Sequence, residues 1–529
     1  LRVTTANASP ATPWNAQLSV TVPAAVANNQ FLRFRLWARS ATRNRIELVH
    51  ELNRDPYSKS LSYLLVLTPE WREVAIPYPA SAYAANDSAL RIRVGYDAGV
   101  VELAGTRLED FGVTATPPAA INFDPFGGQT VNDDWRASAQ QRIETYRKGN
   151  LRVRVVDADG NPQTGASLTI EQTRHAFRFG TALADGPLLA NSADGERYRE
   201  TVKKWFNYAV LENQLKWQWR DGNDFQTADR MLAWCAQNNI AVRGHVLFWP
   251  SYQYLPTRVR TLRGDALRAA VEAHVRDYVT KTRGRVEVWD VVNEAVTNTE
   301  VLRDGGRDLL WKTFQWARET NPDVQLAYND YNISNNRAGA TDAHRATAAR
   351  IIQEILDNGG PLTVVGDQAH MNAPLTPIPK VLEIFDEWSQ WGLPIEITEF
   401  DIVFGGPRDE QAQAQYLADY LTAAFSHPNV QSFLMWGFWD GAHWLAAQGG
   451  GIVRRDWSRR PAADAYERLV LNEWWSRVEA NVDEAGEVFT RVFLGDFQVT
   501  AKVGGRQATA RVSVRDNQDA TTELVLTIQ

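Results

Sequence analysis

Two short stretches combine residue types that could do chemistry. Residues 286–296, VEVWDVVNEAV, end an apolar run in Asn293 and Glu294, and residues 397–401, ITEFD, end another in Glu399 and Asp401. A carboxylate that leaves the core without a partner is costly, so each is either solvated at a strand end or tuned for a reaction. Taken singly, each glutamate reads more readily as a solvated strand end. As a pair beside large aromatic residues they meet a specific chemical requirement. Hydrolysis of an acetal needs one carboxylic acid to protonate the leaving oxygen and one carboxylate to attack the anomeric carbon or to activate water.

The elements that must position such a pair are legible in the pattern around it. From Phe177 the chain repeats strand, loop and helix. Strands are expected at FRFGTAL, YAVLEN, IAVRGHVLFW, RVEVWDVVNE, VQLAYND, LTVVGDQAH, PIEITEFD and VQSFLMWGF. Helices are expected at 224–238, 265–282, 306–319, 341–358, 379–390, 409–426 and 461–473. Eight βα units over about 295 residues fit a (β/α)8 TIM barrel better than an open sheet. In that fold, polar residues at the C-terminal strand ends face the active site. Those ends carry Glu212, Asn213, Lys216 and Trp217, then His245 and Trp249, then Asn293 and Glu294. They continue with Asn329 and Tyr331, Gln368 and His370, Glu399 and Asp401, and finally Trp436 and Trp444.

The flanks read differently. Residues 1–116 alternate short β-rich runs with turns and read as a β-sandwich, and 114–130, rich in Pro, Gly and Thr, reads as a linker. A helix over 133–148 is expected to be capped by Asp133 or Asp134 and ended by Gly149. β patterning returns in 150–176 and again in 476–529, and these segments border the barrel at 177–475. Because barrel termini lie close together, the two are expected to pack as one small β module.

Composition narrows the partners. The 529 residues carry a net charge of −7 with no clustered positive run, which gives no reason to expect nucleic acid. No stretch reads as a signal peptide or a membrane span. Twenty Trp, 16 Tyr and 20 Phe tilt the chain toward carbohydrate, since flat rings stack on sugar C–H faces, although any single ring is better read as core. The single cysteine, Cys235, excludes an intramolecular disulfide and reads as core filler. DADGNPQTGAS lacks the acidic closing ligand of a calcium loop, and no His/Asp/Glu set has metal spacing, so neither a metal nor a cofactor is expected.

Seven stretches, LENQLKW, RGHVLFW, WDVVNEA, NDYN, QAH, ITEFD and WGFWDGAHW, follow one another in an order and at a spacing that resembles glycoside hydrolase family 10 endo-β-1,4-xylanases over roughly residues 177–470. The resemblance implies a retaining mechanism, with Glu294 as acid/base and Glu399 as nucleophile, their carboxyl groups about 5–5.5 Å apart. It implies that His370 and Asp401 orient Glu399 and keep it ionised, that Asn293 bonds a sugar 2-hydroxyl, and that Gln368 sits near Glu294. Glu212, Asn213, Lys216, His245 and Trp249 match glycone-side sugar contacts, Tyr331 a further substrate contact, and Trp436 and Trp444 the cleft wall. It further implies xylan as the polymeric partner, a monomer, and a secreted or periplasmic location. Asp290 reads either as support for the acid/base or as a strand polar residue.

The sequence also departs from the family pattern. PSYQ replaces the usual residues after Trp249, with Pro250 at its start and Tyr252 where a glutamine commonly holds the glycone, and His443 replaces a serine before Trp444. These changes bear on sugar binding more than on the reaction. The same chemistry on mixed-linkage glucan or aryl cellobiosides is the alternative within enzymes. A non-catalytic carbohydrate-binding barrel predicts the loss of one carboxylate, and both are present. The N-terminal region resembles jelly-roll carbohydrate-binding modules; Trp14, Trp37, Tyr57 and Trp71 could form a sugar platform there, but each is expected in the core.

Overall fold

The computed structural model describes residues 1–114, 118–219, 225–404, 409–516 and 520–528. The expected boundary at 116/117 and the expected helix start at 224 lie outside the described residues.

Eight parallel strands form the barrel: Arg178–Leu183, Tyr208–Leu211, Ala241–Gly244, Val288–Asn293, Gln325–Asp330, Val364–Asp367, Ile395–Val403 and Val430–Met435. It closes where residues 178–181 pair with 432–435. Strands of this kind are buried on both faces, which is why VWDVVN is buried throughout. The seventh strand runs long, and the short strand His370–Asn372 lies parallel beside its end, setting His370 opposite Asp401. The helices run close to expectation, with two adjustments. The segment expected at 306–319 runs over Leu309–Thr320 and is preceded by a further short helix, Glu300–Gly305, and the last helix, Pro461–Arg468, ends in a wider turn over Leu469–Glu473.

Inside the lower barrel, Arg243 is fully buried between two carboxylates, with Nη2 2.5 Å from Asp290 Oδ1 and Nη1 2.5 Å from Glu396 Oε2. Burying three charges is tolerable only because each is paired. The flanking carboxylates raise the Arg243 pKa despite burial, and Asp290 is held below its ordinary value by Arg243 and His245 although burial opposes this.

Residues 148–175 and 477–527 build one small two-sheet unit. In one sheet the order is Arg477–Asn481, Ser167–His175, Gly495–Val503, Arg506–Val514; in the other it is Glu487–Phe493, Lys148–Val156, Thr521–Thr527. Leu151, Val153, Ile170, Phe497 and Val499 form its separate core. The preceding helix is Trp135–Tyr146, and no side chain caps its N-terminus. Gly149 does not end it but lies in the following strand, where an added Cβ would stand 2.2 Å from the Asp516 carbonyl oxygen.

The N-terminal unit is a sandwich of two four-stranded antiparallel sheets. One is ordered Arg2–Thr5, Gly99–Asp110, Gln30–Arg39, Arg72–Ala80, the other Gln17–Val22, Ser88–Arg93, Arg45–Leu52, Lys59–Val66. Two expectations are corrected here. The four aromatic residues expected in its core are exposed instead: Trp14 by 49%, Trp37 by 42%, Tyr57 by 47% and Trp71 by 39%. Leu32, Phe34, Tyr63, Ile76 and Tyr78 fill the core, so the remaining rings project outward. Nor do residues 118–130 behave as a free linker. Phe123 packs between Tyr63 of the sandwich and Phe404 of the barrel, Phe126 packs on Tyr416, and Gln129 Nε2 donates to the Leu375 carbonyl at 2.9 Å. The apolar rings in a Pro/Gly-rich stretch carry the contact, and the buried residues of sandwich and barrel form one continuous cluster.

Candidate active site

The barrel's C-terminal rim encloses a cavity of about 490 Å³ lined by residues from the second to the eighth strand ends, including Glu294 and Glu399. Rim polarity is what a TIM barrel leaves over once its interior is packed, because side chains beyond the last layer have no core to enter.

Glu294 takes a left-handed backbone, φ +54°, immediately after the fourth strand, and its N–H donates to the Asn329 carbonyl at 2.9 Å. Its carboxylate accepts from Gln368 Nε2 at 3.0 Å and from Trp249 Nε1 at 3.2 Å. Burial pushes the carboxyl up to about 7, against the Gln368 hydrogen bond and with reinforcement from Glu399 and Asp330. At neutral pH a large fraction therefore carries a proton.

Glu399, 4% exposed, sits among donors. Asn329 Nδ2 donates to its Oε1 at 2.9 Å, and His370 Nε2 stands 3.3 Å from Oε2. The other His370 nitrogen, Nδ1, lies 3.0 Å from Asp401 Oδ2. Burial disfavours the imidazolium, but Asp401 and Glu399 outweigh it and push His370 up to about 10, so Nε2 presents an N–H to Glu399 while Nδ1 makes a charge contact with Asp401. Asp401 Oδ2 also accepts from Trp444 Nε1 at 2.8 Å. That bond fixes an indole that remains 57% exposed as one wall of the cavity.

Asn293 is fully buried; its Oδ1 accepts from Asn329 at 3.0 Å and Gln368 at 3.3 Å, while its Nδ2 has no partner among the described residues. Lys216 reaches in from beyond the second strand, its Nζ 5.6 Å from the Trp436 ring centre and 5.8 Å from that of Trp249, and donates to Asn213 Oδ1 at 3.1 Å. Burial lowers its pKa, though the three nearby carboxylates oppose this, and burial raises that of Glu212. His245 packs edge-on to Trp436 and binds Asp290 Oδ2 at 2.9 Å. Asp290 therefore supports His245 and not Glu294.

The cavity thus brings together Lys216, His245, Trp249, Glu294, Tyr331, Gln368, His370, Glu399, Trp436 and Trp444. Asn293 and Asp401 act on that set through hydrogen bonds, as does Asn213 through Lys216. Glu212 is coupled to it by the charges of Lys216 and Glu399 and by a hydrogen bond to Asn213. Two departures from the family pattern do not line it. Tyr252 turns to the helix Glu300–Gly305, donating to Asp304 at 2.8 Å under Arg263, and His443 is buried, its Nδ1 accepting from the Leu445 N–H at 3.0 Å. Among lining residues the sequence reading had not singled out, Tyr254 stacks on Trp249, and Asn332, Asn335, Arg337 and Asn372 complete the flank beyond the fifth and sixth strands. The polar run NDYNISNN carried a signal for the first two. Tyr254 and Arg337 have no periodicity to mark them.

Comparison with known proteins bears on this geometry. The chain is 32% identical over 377 residues to the anti-sigma-I factor RsgI6 of Acetivibrio thermocellus, covering 70% of this chain and 47% of that one. It is 30% identical over 278 residues to a beta-1,4-xylanase of Dictyoglomus thermophilum, covering 47% of this chain and 75% of the relative. The crystal structure of xylanase 10B from Thermotoga petrophila RKU-1 in complex with xylobiose superposes with a TM-score of 0.51 at 27% identity, over 56% of this chain and 95% of that chain. The chain spans less than half the length of the first curated relatives it matches. Residues 169–468, more than half of the chain, match Glycosyl hydrolase family 10, and with the barrel and its paired carboxylates in place the chain belongs to that family.

Proposed function

We propose that this cleft hydrolyses internal β-1,4 linkages of xylan by double displacement. A Glu399 oxygen attacks the anomeric carbon while Glu294 gives its proton to the departing sugar oxygen, so the glycosidic bond breaks as a glycosyl ester forms. Glu294, now ionised, takes a proton from water; that water attacks the same carbon and releases Glu399. The observation that carries this reading is the contrast between two carboxyls on one cavity. Burial holds Glu294 at about 7, while Glu399 receives Asn329 and His370. The unspent Asn293 Nδ2 suits a sugar 2-hydroxyl, and Lys216, Trp249, Trp436 and Trp444 suit a ring on the glycone side. A polymeric substrate that cannot cross a membrane suits a location outside the cytoplasm; among the described residues no helix is long and apolar enough to span one.

The relatives' names favour xylose, which lacks the C5 hydroxymethyl group, over glucose, and Trp436 and Trp444 line the cavity where such a group would have to fit. Hydrolysis of aryl β-xylobioside is expected to exceed that of aryl β-cellobioside by about tenfold or more in kcat/KM, the scale on which a pocket discriminates by a few heavy atoms. Equal rates would keep the mechanism and move the substrate to glucans. No turnover of either by folded protein would end the xylanase reading.

The exposed rings of the sandwich suit sugar binding away from the cleft. Trp14 lies against Arg93 of one sheet and Trp71 against Arg39 of the other, so they do not read as one platform. Trp14→Ala in the whole chain is expected to weaken retention on insoluble xylan several-fold, by about 1 kcal/mol of lost stacking. Unchanged retention for this variant and for Trp71→Ala would assign these rings no sugar.

A further inference from the structure

One strand of the sandwich touches the catalytic cleft. Arg337 lines the cavity that holds Glu294 and Glu399, and its Nη2 stands 3.4 Å from Glu47 Oε1, on the strand Arg45–Leu52. Two residues earlier on that strand, Arg45 donates from Nη1 to the Ala338 carbonyl at 2.9 Å, itself held by Asp97 at 2.7 Å. Adjacent loop residues of the barrel are thus gripped by alternate residues of the sandwich.

The gripped segment is one that needs holding. Arg337 and Ala338 both take left-handed backbone, φ +46° and +54°, which costs a side-chain-bearing residue about 1–2 kcal/mol each and persists only where the surroundings over-determine it. Asn336 supplies part of that restraint, accepting from the Gly339 N–H at 2.8 Å and donating to Asp342 at 2.6 Å. The same loop carries Asn332 and Asn335 into the cavity. Glu47 is well suited to anchor it: 2% exposed, it also binds Arg93 at 3.1 Å, Tyr96 at 2.9 Å and Ser62 at 2.6 Å. Although burial would raise it, Arg337 and Arg93 hold its carboxyl below the ordinary value.

We propose that the N-terminal sandwich completes the cleft on the flank away from Lys216, with Glu47 as a positioning residue that sets Arg337 to bind the part of a β-1,4-linked pentose chain beyond the cleaved bond. The proposal rests on the xylanase reading above. Its consequence is a preference for long chains that depends on the sandwich through one ion pair.

The test compares kcat/KM for a linear xylohexaose with that for aryl β-xylobioside, whose leaving group is too short to reach this flank, in the whole chain. The ratio of the two is expected to fall about tenfold in Arg337→Gln, through KM more than kcat, and by a similar factor in Glu47→Gln. In the double variant it falls no further than in Arg337→Gln alone, because one residue acts through the other. Glu47→Asp keeps the charge and recovers part of the ratio. A purely structural role lowers both substrates together and leaves the ratio unmoved, which overturns the proposal, as does a double variant whose effects multiply. Should Glu47→Gln fail to fold, Glu47→Asp with Arg337→Gln completes a milder form of the same cycle. A wild type that cleaves neither substrate overturns the xylanase reading and this inference with it, whereas a wild type active on both with an unmoved ratio overturns this inference alone.

Discussion

Replacing Glu399 by Ala is expected to lower kcat on aryl β-xylobioside by about 10⁴-fold or more, the scale on which loss of a covalent nucleophile is felt. Asn329 and His370 converge on this carboxylate and orient it, and the truncation removes the oxygen they hold. The truncation leaves a gap where a small anion such as azide can enter. Azide would attack the same face as the missing carboxylate and is expected to restore turnover with release of a glycosyl azide of inverted anomeric configuration. The wild type, by two successive inversions, is expected to release product with the β configuration, read by proton NMR before mutarotation. An α product from the wild type would show that water attacks directly and would remove Glu399 from the nucleophile's role.

Glu294→Gln is expected to separate the two halves of the reaction. An unactivated xylo-oligosaccharide needs the proton from Glu294, so its turnover is expected to fall by about 10²–10⁴-fold, the usual contribution of general acid catalysis. A dinitrophenyl glycoside leaves without that proton, so its first step is expected to survive and its glycosyl ester to accumulate as a burst. The pH profile follows from the carboxyl pushed up to about 7. The protonated form is present below that value and lost above it, so wild-type kcat/KM on oligosaccharides is expected to decline as pH rises through about 7, and the variant to lack that limb.

The same shift has a sign for stability. A carboxyl whose folded pKa is raised is easier to ionise in the unfolded chain, so stability falls as pH rises from the ordinary value of 4.5 toward 7. Removing the charge is therefore expected to stabilise Glu294→Gln by about 3 kcal/mol at pH 8 and negligibly at pH 4. Thermal unfolding of both proteins at the two pH values reads this directly. A variant less stable than wild type at pH 8 would show that Glu294 is better solvated in its ionised form than its burial implies.

The barrel and the rim residues were legible in the sequence because they obey local rules. Apolar runs such as VWDVVN specify strands buried on both faces, and each polar residue at the end of such a run must leave the core at the same rim. Asn293–Glu294 and Glu399–Asp401 could be placed that way before any contact was known. What pairs with what across the fold was beyond that reading. Asp290 could not be assigned until Arg243 and His245 were seen to share it, since those partners lie 47 and 45 positions away. The turning of Tyr252 toward Asp304, and the place of Tyr254 against Trp249, depend on loop geometry that carries no periodicity.

The flanks show the same division. Alternation in LRFRLWAR located strands, but which face is inward depends on the opposing sheet, and Trp37 fell on the outer one. Residues 118–130 have the composition of a linker, yet Phe123 and Phe126 had apolar surface to bury and the barrel offered Phe404 and Tyr416. The sequence by itself determined the barrel and the residue types at its rim, because strand periodicity and the polar residues that end each strand are local properties of the chain. Only the tertiary structure decided the burial that raises the Glu294 carboxyl and the reach of Glu47 to Arg337, because burial and charge pairing arise between residues that the chain order keeps far apart.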